Sequence, residues 1–189
     1  MMGNFQFIAT SLQDLYMVEQ QIFSDERGFF LETYNQRAFH QAGLTMTFVQ
    51  DNHSKSRGGV LRGLHYQKKY PQGKLVRVLK GSVFDVAVDL RKHSPSFLNW
   101  FGCYLTEENR RQLYIPPGFA HGFLVLSQEA EFAYKCSDFY HPRDEGGYPW
   151  DDPAFGIQWP IEGIEGPILS KKDQGYQPYG EAGFSYSCV

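Results

Sequence analysis

The sequence is poor in cysteine and has no long apolar run. Its 189 residues include three cysteines, at positions 103, 136 and 188, and none of them forms a Cys-x-x-Cys pair. This pattern favours free thiols in a reducing compartment over a disulfide framework or a zinc cluster. The apolar runs are too short for a membrane-spanning helix, which needs about 18 residues, and the first residues do not have the pattern of a signal peptide. We therefore predict a cytoplasmic protein that binds no membrane.

The sequence also has no surplus of positive charge. It contains 18 basic and 21 acidic residues, a formal net charge of -3, so it offers no general field that would attract nucleic acid. The glycine-rich motifs of dinucleotide and nucleoside-triphosphate sites and the nucleophile elbow of serine hydrolases are missing. We expect no nucleic-acid partner, and an anionic ligand would have to be bound by a few local Arg and Lys side chains.

What the sequence does contain is aromatic residues, at 16%, together with 19 glycines and 10 prolines. Short apolar runs alternate with turn residues, a spacing that is typical of a β-sandwich or barrel. The predicted strands are 29–34, 47–52, 60–67, 74–79, 83–90, 101–105, 112–115, 122–126 and 132–136. This pattern predicts an all-β jelly roll.

One internal helix is predicted in addition. Asn35 is a suitable N-cap, Ala38, Phe39 and Ala42 share one helical face, and Gly43 is a suitable stop. We therefore expect a short helix directly after Asn35.

Two further features concern turns and the chain end. Lys80-Gly81-Ser82, between two Val-rich runs, predicts a hairpin turn. After Tyr140 the composition becomes rich in Pro, Gly and Trp without the low complexity of a linker. We interpret this segment as an irregular C-terminal extension of one domain that comprises residues 1–189.

The most polar cluster within a predicted strand is the segment 61–67, LRGLHYQ. In a regular strand His65 shares a face with Leu61 and Gly63, so it would project toward the interior. A buried histidine with satisfied hydrogen bonds is an equally good interpretation. Arg62 would point to the opposite face, unless Gly63 forms a bulge. Both side chains can act in one pocket only if that bulge exists.

Three other side chains are candidates on weaker grounds. Asp85 lies opposite an apolar strand face, where it could pair with a lysine or orient a ligand, although a solvated outer face fits the pattern as well. Tyr134 lies on an apolar face where its hydroxyl needs a partner, yet most such tyrosines are core residues. His121 follows the irregular loop Pro116-Pro117-Gly118, and such loops often line pockets.

The histidine pattern does not favour a metal site. Metal-binding barrels have two histidines close in sequence plus a carboxylate and a later histidine, whereas here the six histidines are scattered. A metal-dependent oxygenase of the cupin type is therefore a distant alternative. Proton transfer by His, Tyr, Lys and Asp remains as the chemistry that the residues favour.

Several segments, taken together and in order, resemble one enzyme family. They are 23–30 (FSDERGFF), 48–54 (FVQDNHS), 61–65 (LRGLH), 72–77 (QGKLVR) and 117–123 (PGFAHGF), followed by Tyr134, Trp159-Pro160 and 169–173 (LSKKD). The sequence resembles the dTDP-4-dehydrorhamnose 3,5-epimerase family over roughly residues 5 to 175. The resemblance implies a cupin-type jelly-roll homodimer without metal or organic cofactor. It also implies the conversion of dTDP-4-dehydro-6-deoxy-D-glucose to dTDP-4-dehydro-L-rhamnose.

The resemblance implies roles for individual residues. His65 would be the base, Asp173 would hold its other ring nitrogen, Tyr134 would donate a proton on the opposite face and Lys74 would stabilise the enolate oxygen. The substrate-binding residues would be Arg27, Glu32, Gln50, Asn52, Arg62, His121, Glu145 and Lys172. Arg27 and Glu32 would reach the neighbouring subunit's site.

Two departures from the family pattern leave alternatives open. Tyr66 stands where many relatives have Phe, and both the segment 142–152 and the tail after Gly175 are individual to this chain. An epimerase acting at C3 only or at C5 only would share the same base and nucleotide site. A nucleotide-sugar binding module in which His65 is merely structural is a further alternative.

Overall fold

Two facing β-sheets and a separate hairpin make up most of the structure. The computed structural model describes residues 3–187, so Cys188 lies outside the described residues. The strands are β1 Phe5–Ala9, β2 Tyr16–Gln20, β3 Ile22–Asp25, β4 Gly28–Leu31, β5 Gln50–Arg57, β6 Leu61–Gln67, β7 Lys74–Lys80, β8 Ser82–Asp89, β9 Trp100–Thr106, β10 Gln112–Ile115, β11 Phe119–Val125, β12 Glu129–Cys136 and β13 Glu145–Gly147. The helices are α1 Gln36–Gln41 and α2 Tyr179–Ala182, with a 3-10 turn at Asp173–Gly175.

The strands pair antiparallel in two sheets. The first sheet has the order β1-β2-β10-β7-β12-β5 and the second has the order β13-β6-β11-β8-β9, while β3 and β4 pair only with each other. This arrangement confirms the prediction of an all-β jelly roll with few short helices. That residues 1–189 form one domain stays a prediction. Within the described residues no helix is long and apolar enough to cross a membrane.

Strand β8 shows how the two sides of the second sheet differ. Val83 and Ala87 belong to the apolar core between the sheets, and Asp85 on the same side is fully buried. Phe84 on the other side packs against Trp159 of the C-terminal extension. The extension therefore covers the outer side of the second sheet, and the interpretation of the Asp85 side as solvated is wrong.

The predicted helix is confirmed, and its cap explains where it begins. The Asn35 side-chain oxygen accepts a hydrogen bond from the Ala38 backbone N–H at 3.2 Å. Phe39 is fully buried in a cluster that also contains Phe5. Gly43 follows the helix with a φ of +85°, a conformation that favours glycine.

Several strands escaped prediction because they have little apolar alternation. β5 has the sequence QDNHSKSR, without an apolar residue, and it begins at Gln50 rather than at position 47. β1, β2, β3 and the three-residue β13 were not predicted at all. Such strands form because they pair with a neighbouring strand or because their polar residues face a cavity. Hydrophobic periodicity does not reveal either cause.

The prediction of a hairpin at Lys80-Gly81-Ser82 is wrong. β7 belongs to the first sheet and β8 to the second, so the chain turns a corner between sheets at Gly81. Gly81 has a φ of +77°, and a Cβ there would lie 2.1 Å from the Glu129 carbonyl oxygen. The local turn signal was correct, but it does not tell which sheet the next strand joins.

Strand β6 contains the bulge that Arg62 and His65 need if they are to share one pocket. His65 pairs with His121 and Arg62 pairs with Phe123 of β11, so three steps along β6 correspond to two along β11. Gly63 lies in this register shift with a φ of +125°, and a Cβ there would lie 2.5 Å from Gly122 Cα. The extra residue turns Arg62 and His65 toward the same side of the sheet.

We expect Gly63→Ala to destabilise the fold by about 3 kcal/mol, because it combines a strained φ with a backbone clash. Gly166→Ala is the matched control, since Gly166 has a φ of +104° but a Cβ added there would meet no other atom within 4 Å. That control should lose only about 1 kcal/mol. Urea unfolding of both variants measures the difference, and equal losses would contradict the close approach at Gly63.

Candidate active site

A cavity of about 390 Å³ lies between the two sheets, within the usual range for small-molecule sites. Nine of the residues singled out in the sequence line it: Gln50, Asn52, Arg62, His65, Lys74, His121, Tyr134, Glu145 and Lys172. Both sheets contribute, since β5, β7 and β12 belong to the first and β6, β11 and β13 to the second.

His65 on β6 is held by a carboxylate from the C-terminal extension. Its Nε2 lies 2.6 Å from Asp173 Oδ1, and its Nδ1 lies 3.9 Å from Glu145 Oε1. Burial alone would raise the pKa of the Asp173 carboxyl, but the hydrogen bond and charge of His65, together with Ser170 and Lys172, outweigh it and the pKa is lowered. A charged Asp173 favours the tautomer with the proton on Nε2. Nδ1 is then the basic nitrogen.

Tyr134 and Lys74 come from the first sheet. Tyr134 pairs with Val76 of β7, and Lys74 pairs with Cys136, so both lie near the same end of the β7–β12 pair. Burial raises the pKa of the Tyr134 phenol and lowers the pKa of the Lys74 ammonium. The phenol is therefore kept protonated, and the ammonium is a positive charge that a developing anion would stabilise.

His121 on β11 forms a second histidine–carboxylate pair. Its Nε2 lies 2.9 and 3.0 Å from the two oxygens of Asp85 on β8. Asp85 is fully buried, and burial raises its pKa although the charge and hydrogen bond of His121 oppose this. The side-chain partner of Asp85 is thus a histidine and not the lysine that the sequence suggested.

Glu145 on β13 connects three polar groups at one side of the cavity. Its Oε1 lies 2.7 Å from Lys172 Nζ, and its Oε2 accepts a hydrogen bond of 2.5 Å from the Tyr140 hydroxyl. Burial opposes ionisation of Glu145, but Lys172 and then Tyr140 outweigh it and lower its pKa. The same hydrogen bond raises the pKa of Tyr140 to about 12.

Three further polar side chains line the cavity. Gln50 Nε2 donates to Asn52 Oδ1 at 3.0 Å, and Asn52 Nδ2 lies 3.6 Å from Cys136 Sγ. Arg62 Nε donates to Ser56 Oγ at 3.1 Å, which fixes the guanidinium at the cavity. Amide and guanidinium groups of this kind bind carbonyl and phosphate oxygens.

Arg27 and Glu32 do not join this cavity within one chain. Arg27 lies at the tip of the β3–β4 hairpin, pairs with Asp25 at 2.5 Å and has a side chain that is 85% exposed. Glu32 accepts hydrogen bonds from Asn4 and Asn35. If they bind substrate, they do so in another subunit.

The comparisons with known proteins agree on one family. The model of the dTDP-4-dehydrorhamnose 3,5-epimerase family matches residues 9–181. The chain belongs to this family. It is 53% identical over 180 residues to the dTDP-4-dehydrorhamnose 3,5-epimerase of Methanothermobacter thermautotrophicus, covering 95% of this chain and 97% of that protein. The resemblance seen in the sequence is therefore confirmed.

Solved structures of the 3,5-epimerase family have the same fold. The dTDP-6-deoxy-D-glucose-3,5-epimerase of Legionella pneumophila, in complex with dTDP-4-keto-L-rhamnose, matches with a TM-score of 0.93 and 47% identity over 98% of this chain and 99% of that one. ChmJ, a 3'-monoepimerase from Streptomyces bikiniensis in complex with dTDP-quinovose, matches with a TM-score of 0.87 and 32% identity over 94% and 91%. The cupin-type jelly roll is confirmed by these likenesses.

Several cavity residues were not found by sequence reasoning. They are Ser54, Tyr66, Gln67, Gln72, Phe123, Phe132, Cys136 and Tyr140. Amides, hydroxyls and aromatic rings are common at surfaces and in cores, so their type alone gives no signal. Alternation along β12 does place Phe132 and Cys136 on one face with Tyr134, but it does not show that this face lines the cavity. Within residues 3–187, no three His, Cys, Asp or Glu side chains are grouped to hold a metal ion.

We expect His121→Leu to destabilise the protein by about 3 kcal/mol near neutral pH, because it leaves the buried Asp85 carboxylate without its histidine partner. Burial raises the pKa of Asp85 against the opposing charge and hydrogen bond of His121, so removing His121 should raise it further. The loss should therefore shrink as the pH falls and Asp85 takes up a proton. Urea unfolding near neutral pH and in mild acid measures this change.

The control is the double variant Asp85→Leu/His121→Leu, which removes the buried charge as well. It should be more stable than His121→Leu near neutral pH and show less dependence on pH. A loss in His121→Leu that is equal at both pH values would contradict a buried, charged Asp85.

Proposed function

We propose that the protein catalyses the 3,5-epimerisation of dTDP-4-dehydro-6-deoxy-D-glucose to dTDP-4-dehydro-L-rhamnose, a step in dTDP-L-rhamnose biosynthesis. The observation behind it is that His65 on the second sheet, paired with Asp173 of the C-terminal extension, lies across the cavity from Tyr134 and Lys74 on the first sheet. Family membership and the Legionella pneumophila complex support the choice of substrate.

The chemistry needs only proton transfers. His65, through Nδ1, removes a proton from a carbon next to the C4 ketone, and the electron pair of the C–H bond moves to the ketone oxygen as an enolate. The Lys74 ammonium stabilises that oxygen. Tyr134 returns a proton to the opposite face of the carbon, and solvent restores both side chains. Nothing is oxidised or reduced, so we propose that the reaction needs no cofactor and no metal.

The nucleotide part of the substrate would be held at the rim. Arg62 and Lys172 are cationic side chains suited to a diphosphate, with His121 beside them. Lys172 is paired with Glu145 in this structure, so a diphosphate would compete for it. Gln50, Asn52 and Glu145 would bind the polar groups of the sugar and the base.

We propose that the protein acts as a homodimer in which Arg27 and Glu32 reach the partner's cavity. The β3–β4 hairpin supports this because it exposes large apolar side chains: Phe23, Phe29 and Phe30 are 45%, 57% and 68% exposed. Phe23 and Phe30 pair across the hairpin and so lie side by side on one face, and exposed apolar patches often mark an interface between subunits. Arg27 lies between these phenylalanines in the chain. An interface that buries them would therefore bring Arg27 against the partner subunit.

A cytoplasmic location also stays a proposal. Cys103 and Cys136 have free thiols in the structure, which is consistent with a reducing compartment.

The runner-up is a single-site epimerase, because the 3'-monoepimerase ChmJ has the same fold at 32% identity. The first step would be the same, and inversion would stop at one carbon. A metal-dependent cupin oxygenase and a non-catalytic nucleotide-sugar binding module are further alternatives, but neither would need a base and an acid on opposite sides of one cavity.

NMR of dTDP-4-keto-6-deoxyglucose with the protein in deuterated water distinguishes these functions. We expect deuterium at both C3 and C5 and formation of the L-rhamno product. Deuterium at one carbon only would identify a single-site epimerase. Tight dTDP binding without exchange on any keto sugar would identify a binding module, and activity that chelation abolishes would identify a metal enzyme.

Two variants assign the base and the acid. His65→Ala should lower the exchange rate by about 10³-fold or more, because no other base would replace it. Tyr134→Phe should retain exchange, since His65 can return the proton that it removed, but should lose the inverted product. Full activity of His65→Ala would refute this mechanism.

Mixing two impaired variants tests the dimer. Arg27→Ala chains lack the guanidinium, and His65→Ala chains lack the base, so neither homodimer has an intact site. If Arg27 acts in the partner's cavity, each mixed dimer has one intact site. Random exchange of subunits then restores about a quarter of the sites. Should the mixture stay as inactive as its components, Arg27 does not cross between subunits.

A further inference from the structure

The His65 ring has a neighbour to which no role has been given. Tyr176 directly follows the 3-10 turn that begins at Asp173, and its ring packs edge to face against His65. The ring centroids are 5.9 Å apart and the planes meet at 67°. Asp173 and Tyr176 thus come from one short segment and contact the same imidazole, one at a nitrogen atom and one at the ring.

A glycine on β13 provides the space for the Tyr176 ring. Gly147 is the residue of β13 that pairs with His65 on β6. A Cβ on Gly147 would lie 2.3 Å from two ring carbons, Cε2 and Cζ, of Tyr176. The tyrosine ring therefore lies directly on the backbone beside His65, and any side chain at position 147 would displace it.

The hydroxyl of Tyr176 does not explain why the ring lies there. It is buried and has no hydrogen-bond partner within the described residues. Burying a hydroxyl without a partner is unfavourable, so the favourable part of this arrangement is the contact of the ring. The function of Tyr176 should then depend on its ring and not on its oxygen.

The rest of the tail holds Tyr176 in place. The Tyr179 backbone N–H donates to Asp152 Oδ2 at 2.6 Å. Phe184 stacks on Tyr66, with ring centroids 4.9 Å apart and planes within 4°. Tyr66 and this tail are among the places where the sequence departs from the family pattern, and in the structure they pack against each other.

We propose that Tyr176, lying on Gly147, is a positioning residue that holds the His65 imidazole with Nε2 on Asp173 and Nδ1 toward the cavity. The proposal rests on His65 being the base of the proposed function. Asp173 fixes one atom of the ring, but a single hydrogen bond leaves the ring free to tilt about it. A second contact on the ring removes that freedom, and a base that is misplaced by about 1 Å loses about 10²-fold in rate.

Three variants test this. Tyr176→Ala should lower kcat and deuterium exchange at C3 and C5 together by roughly 10- to 100-fold, while KM and the Kd for dTDP stay within about twofold because the rim is untouched. Tyr176→Phe keeps the ring and should recover most of the rate. Gly147→Ala should reproduce Tyr176→Ala, and the double variant should be no worse than either single one.

Nitrogen-15 NMR of the His65 imidazole tests the same point without turnover. In both proteins Asp173 should keep the proton on Nε2, so the wild type should show one sharp set of imidazole signals, whereas in Tyr176→Ala those signals should shift or broaden because the ring can tilt about the hydrogen bond. The spectrum also separates the positioning role of Tyr176 from the proposed epimerase function. It reports whether the His65 ring is held in one orientation, even if no keto sugar is epimerised.

Each contrary result has a clear meaning. An unchanged kcat together with unchanged imidazole signals in Tyr176→Ala would overturn the proposal. Loss of activity in Tyr176→Phe equal to that in Tyr176→Ala would overturn it by assigning the effect to the hydroxyl. A higher KM with unchanged kcat would overturn it by making Tyr176 a ligand contact. If Tyr176→Ala does not fold, Tyr176→Leu replaces it as the variant without an aromatic ring. Its kcat and imidazole spectrum are then compared with those of Tyr176→Phe, which keeps the ring.

Discussion

The site depends on one extra residue in strand β6. Without the register shift at Gly63, side chains would alternate strictly, and Arg62 and His65 would lie on opposite sides of the second sheet. The shift exists because Gly63 tolerates a φ of +125° and because its missing Cβ lets the backbone of Gly122 approach. A cation for the diphosphate and a base for the sugar can therefore share one cavity. Both glycines are at the core of the sheet, so the constraint belongs to the backbone and not to a mobile loop.

Three acidic side chains around the cavity are paired with a lysine or a histidine, whereas Lys74 and Arg62 form no salt bridge within residues 3–187. Asp173 is bound by His65, Asp85 by His121, and Glu145 by Lys172. The pKa of Lys74 is lowered by burial, which means that its positive charge is poorly compensated. An enolate that forms beside it would supply the missing negative charge. Electrostatic stabilisation of this kind is strong because the groups are already in place before the reaction.

The fold class and most of the site could be predicted from the sequence, but for different reasons. Turn residues and apolar runs identify the strands that build the core, and Asn35 and Gly43 bound a helix by local rules. The predicted strand 47–52 includes only the first three residues of β5, because the inward residues of β5 face a cavity and are polar. The partner of Asp85 could not be found, since strand order decides that β8 lies beside β11. Local patterns do not contain strand order. For the same reason the hairpin predicted at Gly81 is wrong, and the chain turns a corner between sheets there.

The division of the site between two sheets has a chemical consequence. His65 comes from the second sheet and Tyr134 from the first, so under the proposed mechanism a sugar between them would meet a base on one face and an acid on the other. Inversion at a carbon requires this arrangement, because a single residue that removes and returns the proton on one face only restores the starting configuration. The C-terminal extension completes it. The same segment that covers the outer side of the second sheet supplies Asp173 and Tyr176 to the base, so the stability of that cover and the orientation of His65 are physically coupled.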